Sequence, residues 1–221
     1  MRTSVRPLVL LVALISVAAA FTAARAGATT PATVTYTLST ASNEITSGTR
    51  NQGFWCTNFG SSDTNDDYFT GNANGFYCND YFSFSLAGYA NPCAVESAVL
   101  NIPAFSGSDT GTKTLGFFDV STDPVTLAAK HNNPNSTIYN DLGTGTMYGS
   151  YSVDTGFGGT FHLALNPTGL AALQQAKVSH QSYFSLGGSI TDQLAGDFLF
   201  SGSTAGNVTL TLTIDRICRV S

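Results

Sequence analysis

The stretch Asp80–Phe105, DYFSFSLAGYANPCAVESAVLNIPAF, decides the fold of this chain. Phenylalanine and leucine alternate with serine over residues 82–86, and apolar and polar residues alternate again over residues 97–102. Alternation with a period of two is typical of a strand that buries one face. Gly88 and Pro92 supply turn chemistry between the two runs. The stretch therefore predicts two half-buried strands joined by a polar loop.

Further short strands are predicted on both sides of this stretch. Charged residues make up only 10% of the chain, and the chain contains 22 glycines, which indicates many turns and few solvated helices. Alternating or apolar runs are found at residues 34–38, 115–120, 148–153, 160–165, 183–190, 197–201 and 207–220. Asn166 and Pro167 form a cap and first turn, so one short helix is expected near residues 167–177. The pattern predicts an all-β protein, an antiparallel β-sandwich with a jelly-roll-like arrangement.

The N-terminus has the features of a secretory signal. Residues 1–26 contain Arg2 and Arg6, an apolar core at residues 8–20 and a cleavage motif at Ala24–Ala26. We expect a single sandwich domain at residues 27–221 that is secreted to the extracellular side. The apolar core is too short to span a bilayer comfortably, so no membrane insertion is expected after signal removal.

The charge of the chain excludes some partners. Removal of the leader takes away three arginines and leaves six basic and fourteen acidic residues, a formal charge of −8 instead of −5. No basic run is present, which argues against nucleic acid as a partner.

Three segments resemble a known group of domains. Residues 68–71, 81–86 and 95–100 are similar to exported bacterial β-sandwich domains of the DNRLRE and carbohydrate-binding-module kind. Residues 118–122, 140–143 and 148–149 are similar to a subgroup often carried ahead of PEP-CTERM sorting tails, although this sequence has no such tail. The resemblance implies a surface or matrix protein that binds polysaccharide.

Four cysteines in an exported chain indicate two disulfides. Cys56 and Cys78 bracket an aromatic loop region, whereas Cys93 and Cys218 lie beside an early strand and the last strand. This placement favours the pairs Cys56–Cys78 and Cys93–Cys218. The pairing Cys56–Cys93 with Cys78–Cys218 remains the second choice.

An acidic loop and an aromatic cluster are the candidate sites. The oxygens of Asp63, Asn65, Asp66 and Asp67 could bind calcium, although a solvated acidic loop explains the same residues. Residues 54–84 contain 10 of the 25 aromatic residues. Exposed rings beside amides and carboxylates suit sugars, and we expect the exposed rings to be those of Trp55, Tyr68 and Tyr77.

The sequence contains no recognisable catalytic motif, so a non-enzymatic role is expected. The first hypothesis is an exported module that binds glycan or extracellular matrix at the cell surface. The alternatives are a structural or assembly protein that makes protein–protein contacts and, third, a secreted hydrolase that uses acidic loop residues. An exposed aromatic row beside amides would favour the first hypothesis, and a flat apolar patch would favour the second.

Overall fold

The computed structural model describes residues 33–61, 67–73, 75–89, 93–108, 111–129, 133–154, 159–192, 194, 196–201 and 207–215. The strands are β1 (Thr33–Ser39), β2 (Gln52–Cys56), β3 (Gly60–Ser61), β4 (Tyr68–Ala73), β5 (Phe76–Ser85), β6 (Val95–Ser108), β7 (Thr112–Asp119), β8 (Met147–Asp154), β9 (Gly159–Ala164), β10 (Tyr183–Ile190), β11 (Phe198–Ser201) and β12 (Thr209–Asp215). The helices are α1 (Pro124–Ala128), α2 (Ser136–Gly143) and α3 (Pro167–Val178). The predicted signal at residues 1–26 lies outside these ranges.

The strands form two antiparallel sheets that face each other as a sandwich. The first sheet has the order β1-β12-β6-β9. The second has the order β11-β4-β5-β10-β7-β8, and β2 pairs with the free side of β5 and with β3. Because the chain crosses between sheets at β5–β6, β8–β9 and β11–β12, the fold is not a stack of local hairpins. The predicted antiparallel β-sandwich is confirmed.

Strand β6 joins the two sheets. Its first part pairs with β12 and β9, and its last residues pair with β11 of the second sheet. The register shifts between Ile102 and Phe105, where Pro103 has no N–H to give to a ladder. The hydroxyl of Tyr68 donates a hydrogen bond to the carbonyl of Pro103. Proline and tyrosine together fix the point at which β6 leaves one sheet for the other.

The main core lies between the sheets. Phe82 and Phe84 of β5 face Leu100 and Ile102 of β6 within one buried cluster. On β6 the predicted alternation is confirmed, because the apolar side chains at 98, 100 and 102 are buried and those at 97, 99 and 101 are only partly so. Loss of a large buried side chain from such a core costs about 2–5 kcal/mol.

Strand β5 is buried on both faces, so its predicted half-burial is wrong. Ser83 is as buried as Phe82 and Phe84 on either side of it, and Ser85 is buried as well. The hydroxyl of Ser83 hydrogen-bonds that of Ser185 at 2.7 Å, and the amide of Asn43 donates to the hydroxyl of Ser85 at 2.9 Å. These polar side chains are tolerated inside because they are hydrogen-bonded.

Two helices that the sequence did not predict cover the outer face of the second sheet. Asp123 and Asn135 cap α1 and α2, and Pro124 occupies the first turn of α1. Their buried side chains form a second cluster that contains Trp55, Tyr81, Leu127, Ile138 and Leu142. Helix α2 is not apparent from the sequence because it contributes only two buried side chains, Ile138 and Leu142, too few for a clear helical period.

The predicted helix near residues 167–177 is confirmed as α3. The side chain of Asn166 accepts a hydrogen bond from the N–H of Gly169 at 2.9 Å. At the other end the N–H of His180 donates to the carbonyl of Lys177, and that of Gln181 donates to the carbonyl of Ala176. This is a Schellman motif, in which glycine usually occupies the position of His180.

The predicted disulfide Cys56–Cys78 is present and joins β2 to β5 at a directly paired position. Cys93 is also disulfide-bonded. Its predicted partner, Cys218, lies outside the described residues.

Peptide mapping without reduction should recover a Cys56–Cys78 peptide and a Cys93–Cys218 peptide. Four cysteines allow three pairings, and the observed bond leaves one of them. A peptide that joins Cys56 to Cys93 would contradict both the structure and the prediction.

Gly187→Ala should destabilise the protein by about 3 kcal/mol, because overpacking of a filled site forces the backbone to move. A Cβ at Gly187 would lie 2.7 Å from the Cα of Leu142 in α2. The control is Gly188→Ala on the opposite face, where the closest atom is the Phe117 side chain at 3.2 Å, and about 1 kcal/mol is expected. Urea unfolding measures both, and equal losses would argue against close packing of α2 on β10.

Candidate functional site

The predicted aromatic platform is not formed, because two of its three rings are buried. Trp55 lies under α1, and its indole N–H donates to the carbonyl of Leu127 at 3.2 Å. Tyr68 lies in the main core, edge-on to Phe82 at 5.5 Å. The expectation that these rings are exposed is wrong, since unpredicted helices cover one and the β6 bend engages the other. Tyr77 is 40% exposed, as predicted.

A row of phenylalanine rings is the surface aromatic feature that the sequence analysis did not identify. Its rings contact one another in the order Phe198, Phe69, Phe54, Phe59 and Phe76, with centroid separations of 5.4, 5.7, 6.4 and 5.4 Å. Phe59 and Phe76 are 37% and 40% exposed. We call this the phenylalanine row. Most neighbouring rings in it are steeply inclined, so it does not present one flat stacking surface.

The calcium prediction falls largely outside the described residues. Asp63, Asn65 and Asp66 are not among them, and Asp67 is buried at the start of β4. Within the described part of the chain, no group of three or more histidine, cysteine, aspartate or glutamate side chains could bind a metal ion.

A cleft of about 730 Å³ opens between α3, β10 and the segment that follows β7. Its lining includes Asp119, Asp123, Tyr148, Gln175 and Tyr183, and we call it the acidic cleft. The carboxylate of Asp119 accepts from the N–H of Thr146 at 2.6 Å. A cleft of this volume with a few polar groups and aromatic walls is typical of a small-ligand site.

Both walls of the acidic cleft are fixed by internal contacts. Tyr148 stacks on Phe184 with centroids 6.2 Å apart. On the opposite side, the N–H and hydroxyl groups of Ser121 and Thr122 all donate to the carboxylate of Asp141, at 2.6–3.2 Å. Burial acts to raise the pKa of Asp141, but these hydrogen bonds outweigh it and lower the pKa overall. The ionised Asp141 therefore holds the cleft wall against α2.

A second cavity of about 490 Å³ adjoins the cleft. It is lined by Asn43, Tyr89, Lys177 and His180, and it shares Gln181, Ser182 and Tyr183 with the acidic cleft. We call it the lysine cavity. The ammonium of Lys177 donates to the carbonyl of Cys93 at 2.6 Å and lies 4.9 Å from the centroid of the Tyr89 ring. The lysine thus contributes a partly buried positive charge to an acidic protein.

Backbone strain is concentrated at the lysine cavity. Among the described residues, Asn43 and His180 are the non-glycine residues with positive φ, at 50° and 55°. Both line this cavity. Such conformations cost energy and cluster at functional sites. This strain could not be predicted from the sequence, because His180 looks like any polar residue after a helix.

A buried carboxylate lies away from both cavities. Asp80 shares the inner face of β5 with Phe82, and neither of its oxygens makes a hydrogen bond of ordinary geometry to a described residue. Burial raises the pKa of Asp80 well above its usual value, and the backbone N–H of Phe69 only partly offsets this.

Comparison with known protein families and with curated proteins finds no match for this chain. In the part of the chain that the structure describes, no helix is long and apolar enough to cross a membrane.

Asp80→Asn should reduce the dependence of stability on pH. Because the pKa of Asp80 is higher in the folded state, the folded protein binds the proton more tightly and loses stability as pH rises from about 4. Urea unfolding across a pH series should show this decline in the wild type and a weaker one in the variant.

Asp141→Asn provides the comparison of opposite sign. The pKa of Asp141 is lowered on folding, so its contribution is present at neutral pH and is lost on acidification. The variant should therefore be less stable than the wild type at neutral pH and should approach it in acid. If the stability of Asp80→Asn declined with rising pH as steeply as that of the wild type, the raised pKa assigned to Asp80 would be contradicted.

Proposed function

We propose that the protein is an exported, non-catalytic module that binds glycan or extracellular matrix at the cell surface. The observation that carries the proposal is the acidic cleft, which the half-buried ring of Tyr183 lines together with Asp119, Asp123 and Gln175. An aromatic ring can stack on the apolar face of a sugar, and carboxylates and amides bond its hydroxyls. The same combination of an exposed ring with nearby amides and carboxylates was expected from the sequence at Trp55, Tyr68 and Tyr77.

The contacts inside the cleft support binding in preference to catalysis. Asp119 is engaged by the backbone of Thr146, and Asp123 caps α1 through the N–H of Val125 at 2.8 Å. Each carboxylate thus has a structural hydrogen bond that fixes its position. Fixed acceptors suit the recognition of hydroxyl groups at little cost in conformational entropy.

Export is supported by the character of residues 1–26 and by the Cys56–Cys78 disulfide. Disulfides persist in oxidising compartments and are rare in reducing ones.

A glycan-array screen of the mature protein, with and without calcium, should identify bound saccharides. For an identified ligand, Tyr183→Ala and Gln175→Ala should each weaken binding roughly fivefold, since a stacking contact and a hydrogen bond each contribute about 1 kcal/mol. A requirement for calcium would support the Asp63–Asp67 loop as its site. Isothermal titration calorimetry measures the affinities.

Tyr77→Ala is the matched control, because Tyr77 is exposed but does not line the cleft. It should bind like the wild type. If Tyr77→Ala weakened binding and Tyr183→Ala did not, the site would lie on the outer face of β5 and the cleft assignment would be wrong.

A second candidate function is assembly with other proteins, which the phenylalanine row favours. Aromatic side chains are enriched at the centres of protein interfaces, and a charge-poor row of rings is suited to an apolar partner surface. If no glycan binds and Phe59→Ser with Phe76→Ser disrupts a complex isolated from the native source, this function replaces the first.

A further inference from the structure

We propose that the lysine cavity binds a carboxylate group and that this carboxylate belongs to an acidic saccharide. The inference rests on the glycan-binding function proposed above and specifies its ligand class. It is carried by three features of the cavity: a buried hydroxyl and a cation that have no hydrogen-bond or acidic partner, respectively, among the described residues, and two strained residues.

The hydroxyl of Tyr89 is a buried hydrogen-bond donor without an acceptor among the described residues. Tyr89 is only 6% exposed, and its hydroxyl has no hydrogen-bond partner in the part of the chain that the structure describes. Burial, with a smaller contribution from Tyr36, raises the pKa of Tyr89 to about 12, so the proton is retained. A buried hydroxyl without a partner is costly, and native proteins rarely leave one unsatisfied. Tyr89 is one of the residues that line the cavity, so a ligand seated there lies next to this side chain and can offer the acceptor.

Lys177 supplies the charge that selects an anion. One of its three N–H donors is used by the carbonyl of Cys93, and the ring of Tyr89 holds the ammonium at 4.9 Å. Among the described residues, no carboxylate forms an ion pair with Lys177. A partly buried ammonium with spare donors favours a ligand carboxylate, because charge-assisted hydrogen bonds are the strong ones.

His180 and Asn43 bring further polar groups to the cavity at the cost of backbone strain. Glycine would be the least strained residue at the end of the Schellman motif, yet histidine is present there and its side chain is exposed. Asn43 also adopts a left-handed conformation, with its amide held by Ser85 and its carbonyl by the hydroxyl of Tyr183. The strain is explained if these side chains have a ligand to contact.

The C-terminus of α3 disfavours the binding of an anion in the lysine cavity, but the effect is small. Its carbonyls carry partial negative charge, and Lys177 and His180 lie at this end. Two of the terminal carbonyls are engaged by the N–H groups of His180 and Gln181. The remaining effect of the helix terminus is smaller than that of a direct hydrogen bond between an ammonium and a carboxylate.

The acidic cleft that adjoins the lysine cavity favours a saccharide over an acidic peptide as the ligand. Gln181, Ser182 and Tyr183 line both the lysine cavity and the acidic cleft, so one extended ligand can contact both. The acidic cleft contains Asp119 and Asp123, which would repel an acidic peptide but accept hydrogen bonds from sugar hydroxyls. The ligand is therefore a saccharide chain with hydroxyls in the cleft and a carboxylate at Lys177.

The test compares a short oligogalacturonate with its methyl ester, which has the same sugar without the charge. Calorimetry on the mature protein should show binding of the acid at least tenfold tighter than binding of the ester. Lys177→Met should abolish this preference, and Lys177→Arg should retain most of it. An acidic peptide of equal charge serves as the third ligand.

Tyr89→Phe separates a binding role from a structural one. Loss of the hydroxyl should weaken binding of the acid roughly tenfold, as expected for a hydrogen bond to a charged group. It should not lower the melting temperature, because the hydroxyl bonds to none of the residues that the structure describes. Unchanged binding in Tyr89→Phe would overturn the assignment of its hydroxyl.

The outcomes distinguish the two proposals. Equal binding of acid and ester, or a preference that survives Lys177→Met, would overturn the carboxylate site but leave glycan binding intact. Tighter binding of the acidic peptide than of the oligogalacturonate would overturn the saccharide assignment. Absence of binding to any glycan on the array would overturn the proposed function itself.

Discussion

The two-sided burial of β5 is the constraint on which the rest of the structure depends. One face sends Phe82 and Phe84 into the core between the sheets, and the other sends Tyr81 towards Trp55 and α2. A strand with two buried faces must have a layer on each side, so the molecule has a helical layer outside its second sheet. The absence of a side chain at Gly187 makes the close approach of α2 possible on the neighbouring strand β10.

The same layering determines where clefts can form. Helix α2 is tied to the segment after β7 through Asp141, and α3 packs on the other side of Tyr148. The space between them becomes the acidic cleft. Its walls come from three parts of the chain that are far apart in sequence, and they meet only because β7, β8 and β10 are neighbours in one sheet. Rigid strands below the cleft position groups that come mostly from helix ends and connecting segments.

The cleft and the phenylalanine row are surfaces of different chemistry. The cleft and its adjoining cavity combine acids, amides, tyrosines and one lysine, whereas the described side chains of the row are entirely apolar. Polar groups that converge in a concave site give orientation and specificity. Apolar rings on an open surface give contact area with little selectivity. For this reason the cleft, and not the row, is the better basis for a binding function.

The sequence by itself determined the sandwich class, the inward pattern of β6, helix α3 with its Asn166 cap, and the Cys56–Cys78 disulfide as the favoured pair. These features depend on short stretches of chain, since period-two alternation and capping residues act within a few residues and the two cysteines are 22 residues apart. Tertiary structure alone decided the burial of Trp55 and Tyr68 and the meeting of Tyr89 with Lys177 and His180. Whether an aromatic ring is buried in the core or exposed at the surface depends on which distant segment covers it. The position of Tyr89 is set by β5, whereas that of Lys177 is set by α3. Such proximity arises when the sheets close, so no window of the sequence contains it.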